Sequence, residues 1–147
     1  MKSTFLTALQ AIGIGLLLAA SLVCGQMDHK FTMQIPFDFA ASNQQFLAGD
    51  YTIKSDVSTG TVVIRREDGP EFVIATYSGG ENKDYAHAKL VFHQYGTHFF
   101  LSQVWPAGAT GRELSKSRKE VEMAKSSPQP EVVSVLASIP RLRKTNR

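Results

Sequence analysis

The chain has 147 residues, 43% hydrophobic and 20% charged, a balance that suits one globular domain and argues against wholesale disorder. Its formal net charge is +3, but four of the sixteen lysines and arginines lie in the last seven residues, at Arg141, Arg143, Lys144 and Arg147. Setting these and Lys2 aside leaves eleven basic residues against thirteen acidic ones, which speaks against a nucleic-acid-binding surface.

Lys2 precedes a long apolar run, FLTALQAIGIGLLLAASLV, at residues 5–23. A charged start followed by an apolar stretch and small residues is the pattern of a secretory signal. Cleavage after Gly25 places Val23 and Gly25 at the −3 and −1 positions, so residues 1–25 read as a signal peptide and the chain as exported to the periplasm or beyond the cell. Two alternatives stay open. The run approaches the ~20 residues that span a bilayer, so residues 5–23 could anchor the protein in a membrane. Cys24 could instead carry a lipid, although Ser21-Leu22-Val23 fits the usual Leu-small-small pattern poorly. Cleavage after Gly25 leaves a mature chain without cysteine, which excludes disulfides, thiol catalysis and cysteine-ligated zinc together.

Residues 26–125 read as a β domain. In HKFTMQIPFDFA, residues 29–40, Phe31, Met33, Ile35, Phe37 and Phe39 alternate with Lys30, Thr32, Gln34, Pro36 and Asp38, the signature of a half-buried strand. Pro36 has no N–H to donate, so this strand belongs at an edge or bulges there. A polar connection at 42–45 leads to a short apolar pair, Phe46-Leu47. A turn at 48–50 opens a strand at 51–54, and residues 58–60 form the next turn. Residues 61–67 form a strand with Val62 and Ile64 facing inward. Asp68-Gly69 is a strong hairpin signal. Residues 71–77 are apolar in both rows, Phe72 and Ile74 on one side and Val73 and Ala75 on the other, which reads as a central strand covered on both faces. A flexible loop at 78–84 follows.

LVFHQYGTHFFLSQVW, residues 90–105, reads as the hairpin around which the domain is organised. Side chains two apart share a face of a strand. Ala88, Leu90 and Phe92 make one row, and Phe99, Leu101 and Trp105 another, interrupted by Gln103. A type II′ turn at Gly96-Thr97 sets Phe92 opposite Leu101 and Ala88 opposite Trp105, with both rows on one face. The other face holds Val91, His93, Tyr95, His98, Phe100 and Ser102. Residues 106–111 break the sheet. A short helix is expected at about 113–125, with Ser117 and Glu120 as a capping box and Leu114, Val121 and Ala124 as a narrow apolar stripe lying over an open end or edge of the sheet. Residues 126–130 are a linker, residues 132–139 either a last strand or an unpaired segment, and the rest a basic, mobile tail.

Several blocks, taken in order, resemble a group of small exported β-proteins of acidobacterial soil bacteria: IPFDF at 35–39, LAGDYTI at 47–53, the hairpin at 90–105 and GRELSKSRKE at 111–120. The resemblance spans residues 31–124 and implies export and the β fold. It brings no activity, ligand or catalytic residue, because none is established for that group. Where the group's turn reads Leu-Pro-Ala-Gly, this chain has Phe46-Leu47-Ala48-Gly49.

The expected fold class is therefore all-β and mostly antiparallel, a small β-sandwich or closed β-barrel of about seven or eight strands with one short C-terminal helix. Candidate chemistry is sparse. His93 and His98 become diagonal neighbours on the outer face in the proposed register, a weak metal-binding pair because zinc needs three or four ligands. Asp38 alternates away from Phe37 and Phe39 and reads as solvent-facing or as a cap. Most other carboxylates lie in turns. No nucleophile elbow, zinc-protease motif or phosphate-binding glycine loop is present, so the chain reads as a non-enzyme without cofactor. The leading functional expectation is a non-catalytic cell-envelope protein that binds a partner or surface, with Arg141, Arg143, Lys144 and Arg147 touching anionic lipid or polymer. A small-ligand carrier with an apolar barrel cavity and a hydrolase of unrecognised type are the alternatives.

Overall fold

A computed structural model describes residues 28–81 and 86–137. The expected signal segment and the basic tail lie outside the described residues. The described chain forms ten strands and one helix: β1 (Asp28–Ile35), β2 (Phe39–Ala41), β3 (Gln44–Phe46), β4 (Gly49–Asp56), β5 (Thr61–Arg66), β6 (Glu71–Glu81), β7 (Lys89–Tyr95), β8 (His98–Trp105), β9 (Thr110–Leu114), α1 (Arg118–Ser126) and β10 (Glu131–Leu136). The fold is all-β and almost wholly antiparallel. The one parallel pairing joins β2 to β8 through Phe39–Phe99 and Ala40–Phe100. None of the described helices is long and apolar enough to cross a membrane.

The hydrogen-bonded path runs β1-β4-β5-β6-β9-β8-β2-β3, with β7 on the other side of β8 and β10 beyond β7. The sheet does not close, so of the two expected architectures the sandwich-like one is observed. Its two layers share β6. The first half of β6 pairs with β5 through residues 71–75, and the second half pairs with β9 from Thr76 onward. A strand that changes sheets in this way turns the corner between packed layers.

Alternation decides what lies between the layers. Met33, Ile35, Tyr51, Ile53, Val62, Ile64 and Ile74 come from one layer, and Phe39, Phe46, Leu90, Phe92, Leu101, Val104 and Leu114 from the other, in one buried cluster. Rings fill its centre. Phe39 stacks on Phe46 at 5.0 Å and meets Phe92 edge-on at 5.4 Å, while Phe37 stacks on Phe99 at 3.9 Å. Such offset and edge-on pairs each add about 0.5–1.5 kcal/mol beyond the area they bury.

The organising hairpin forms with the expected turn. Gly96 has φ of +60°, as the first central residue of a type II′ turn needs, and Phe92 faces Leu101. Beyond that pair the register differs from expectation. Val91 faces Gln103, leaving Ser102 as an extra residue, so β8 bulges there. The bulge moves Val104 into the inner row and turns Trp105 outward. Lys89, not Ala88, is therefore opposite Trp105.

The segment after the hairpin also differs. Residues 110–114, expected partly as helix, form β9 because their inward residues Arg112 and Leu114 continue the sheet beside Val104 and Thr76. The helix begins only at Arg118, so Leu114 is a core residue of β9 and no part of a helical stripe. It lies on the outer face of the sheet, with Met123 and Ala124 against Ala40, Tyr95 and Phe100. Of the two readings left open for residues 132–139, the last strand is the one observed, over Glu131–Leu136: β10 pairs antiparallel with β7, Val133 opposite Phe92. The strand expected at 71–77 is not covered on both faces: Ile74 and Thr76 point inward, while Val73 and Tyr77 are 66% and 67% exposed. It also runs on to Glu81, so the loop expected at 78–84 begins as strand. The single strand expected over 29–40 divides around Pro36 into β1 and β2, which pair in different layers. Among the described residues β1 pairs only with β4 and ends just before Pro36, an edge strand as expected from that proline.

Candidate functional site

The outer face beneath α1 gathers the chain's most unusual polar contact. Ser117, in extended conformation, caps the helix by accepting the Glu120 backbone N–H on its Oγ at 3.1 Å. This fixes the first turn and aims the Glu120 side chain at the sheet, where it is only 3% exposed. There its Oε1 accepts a hydrogen bond of 2.8 Å from His93 Nδ1 on β7. This contact holds the imidazole in one orientation. Tyr95 and Phe100 pack edge to face at 5.9 Å beside this pair. Glu120 is the sole buried residue of α1, whereas Val121 of the expected stripe is 44% exposed. A polar bond, flanked by Met123 and Ala124, therefore docks the helix.

The expected histidine pair fares differently at its two ends. His93 is engaged by Glu120, and His98 is exposed at the tip of the hairpin opposite Tyr95. Among the described residues no three His, Cys, Asp or Glu side chains gather to hold a metal. Asp38 is a cap, as its alternation suggested: its Oδ1 accepts the Ala48 N–H at 2.7 Å and shapes the turn before β4. Asp56 does the same after β4. The Ser58 hydroxyl and the Ser58 and Thr59 backbone N–H groups all bond its Oδ1. The Ser58 hydroxyl first, and Thr59 next, hold its carboxyl at about 2.

Arg112 was not singled out from the sequence, yet its side chain is buried between the layers. Its Nε donates to Thr76 Oγ1 and its Nη2 to the Thr76 carbonyl, both at 2.9 Å. Thr76 in turn donates its hydroxyl and its N–H to the Gly60 carbonyl. This chain of bonds ties β9 to β6 and to the turn before β5. A basic residue inside a strand read as helix gave no hint of such a role.

At the opposite end of the sandwich a groove of about 550 Å³ lies between the turn after β3 and the β5–β6 hairpin. Phe46, Leu47, Phe72 and Pro70 supply an apolar wall, and Arg66 and Asp68 supply charge. Tyr51 lines it too, donating its hydroxyl to the Leu47 carbonyl. Burial raises the Tyr51 pKa; Arg66 opposes that shift and Asp38 adds to it. The Arg66 guanidinium also lies against Gly49, whose φ is +156°. No protein-family model, curated protein or solved structure matches the chain.

The polar side chains described cap turns, dock the helix or brace the corner between layers. The surface of the described residues also carries the end groove, a groove of about 400 Å³ beside Thr32, Asp50 and Glu67, and the sheet edges.

Proposed function

We propose that the protein is a non-catalytic binding module of the cell envelope, exported by its N-terminal segment and acting through its outer surface. The observation that carries this reading is the solid interior. Phe39 and Phe92 are fully buried at the centre of the sandwich and meet edge-on, with Phe46 stacked on Phe39, so that rings occupy the space a carrier would need for its cargo. Recognition then falls to the outside, where the groove beside Leu47 and the sheet edges offer apolar contacts. The basic cluster at Arg141, Arg143, Lys144 and Arg147 adds attraction for anionic lipid or polymer.

Native mass spectrometry of the protein taken from its own envelope tests this reading. The expected species lacks residues 1–25 and carries no stoichiometric small molecule. A retained small ligand would favour the carrier instead. A mass that includes the apolar run or a lipid on Cys24 would replace export with anchoring.

A further inference from the structure

The sheet has three edges among the described residues, and they are not alike. β3 is three residues long. β1 shows Asp28, Lys30, Thr32 and Gln34 to solvent and stops at Pro36. Short length, edge charge and proline are the usual devices that keep an exposed edge from pairing with another chain. β10 follows directly on Pro130 and opens with Glu131, but from Val132 to Leu136 it carries neither proline nor charge. Its sequence is EVVSVL, six residues paired, among the described residues, on one side only, to β7. Val132 is 63% exposed and Leu136 56%, and the inward Val133 and Val135 are only partly buried against the core.

This strand is self-complementary. In an antiparallel pair centred on Ser134, Val132 meets Leu136 of the second copy on the outer face, and Val133 meets Val135 on the inner face. The two Ser134 side chains oppose one another, a favourable cross-strand pairing. Glu131 falls opposite Ala137, so no like charges meet. A two-fold axis normal to the sheet keeps the outer faces of both copies on one side and is the symmetry of most homodimers.

We propose that β10 is a homodimer interface, in which two copies of this chain join edge to edge in that register to make one continuous sheet. The pairing covers Val132 and Leu136 and completes the burial of Val133 and Val135.

Analytical ultracentrifugation of the mature protein over a wide concentration range tests the proposal. The wild type is expected to show a monomer–dimer equilibrium. Val132→Lys and Leu136→Glu each set a charge against an apolar partner and should weaken the dimer at least tenfold. The double variant V132K/L136E sets lysine against glutamate at both ends and should restore it. Both side chains point to solvent in the single chain, so circular dichroism should show unchanged folding in every variant. A wild type that stays monomeric at all concentrations overturns the proposal. So does a dimer indifferent to either single change, or one that the double variant fails to restore. A monomer that instead captures a strand from a different protein does the same.

Discussion

Gly111→Ala places a methyl group inside an indole ring. A Cβ at this position would sit 2.4, 2.5 and 2.8 Å from three ring carbons of Trp105. Comfortable carbon contacts lie at about 3.5–4.0 Å, so the ring must retreat by roughly 1 Å. Its freedom to do so is small. Trp105 Nε1 donates to Gln103 Oε1 at 3.0 Å, and Lys89 Nζ stands over the ring at 5.6 Å. Overpacking of this kind costs about 1–3 kcal/mol. Urea denaturation should show a lower midpoint with an unchanged slope. The informative comparison is the same change in a Trp105→Ala background. With the ring gone, alanine in a strand is preferred over glycine by about 0.5–1 kcal/mol, so the effect should reverse sign. If Gly111→Ala costs as much without the ring as with it, the indole is not what excludes a side chain there.

Three further outcomes are expected. Glu120→Ala removes the acceptor from His93 and should cost about 1.5–3 kcal/mol in urea, with faster amide exchange through α1 than elsewhere. Loss of stability without that local exchange would contradict docking by this bond. Tyr95→Phe removes a buried hydroxyl that has no hydrogen-bond partner among the described residues, so its thermal midpoint should be unchanged or slightly higher. Asp56→Asn should flatten the acid limb of the stability profile. The Asp56 carboxyl is depressed from 3.8 to about 2, so its contribution is complete above 3.8 and fades as pH falls through about 2. Titration of folding between those values distinguishes the variant from the wild type, and identical profiles would count against the role given to the Ser58 and Thr59 bonds.

Local pattern carried the reading of the strands that have one clean face. Phe31 to Phe39 alternates without a break, Asp68-Gly69 turns the β5–β6 hairpin, and Gly96 turns β7 into β8 where its φ demands. The N-cap at Ser117 was legible for the same reason, since it depends on residues three apart, but the other half of the expected capping box is replaced by the bond from Glu120 to His93. What escaped depended on neighbours distant in the chain. The Ser102 bulge is fixed by β9 meeting β8 at Gln103 and Val104, a pairing that local alternation does not encode. β9 itself, TGREL, has one strong apolar residue and reads as the end of a break followed by the start of a helix until Arg112 finds Thr76, 36 positions earlier. The site beneath α1 was missed because a glutamate is ordinarily placed on the wet side of a helix. Only the docked geometry shows that His93, 27 residues away, inverts that expectation.

The strand common to both layers has a consequence for how this chain can change over time. Elsewhere in the domain a gained or lost residue can be absorbed by a connecting loop. Within β6 it cannot, because the same backbone runs without a break from one layer into the next. A single deletion near Ala75 would leave Phe72 and Ile74 in place and send Thr76 to the outside, taking the Arg112 and Gly60 contacts with it. Point replacements along β6 should therefore be far better tolerated than length changes, and natural length variation should collect at the ends of the hairpins.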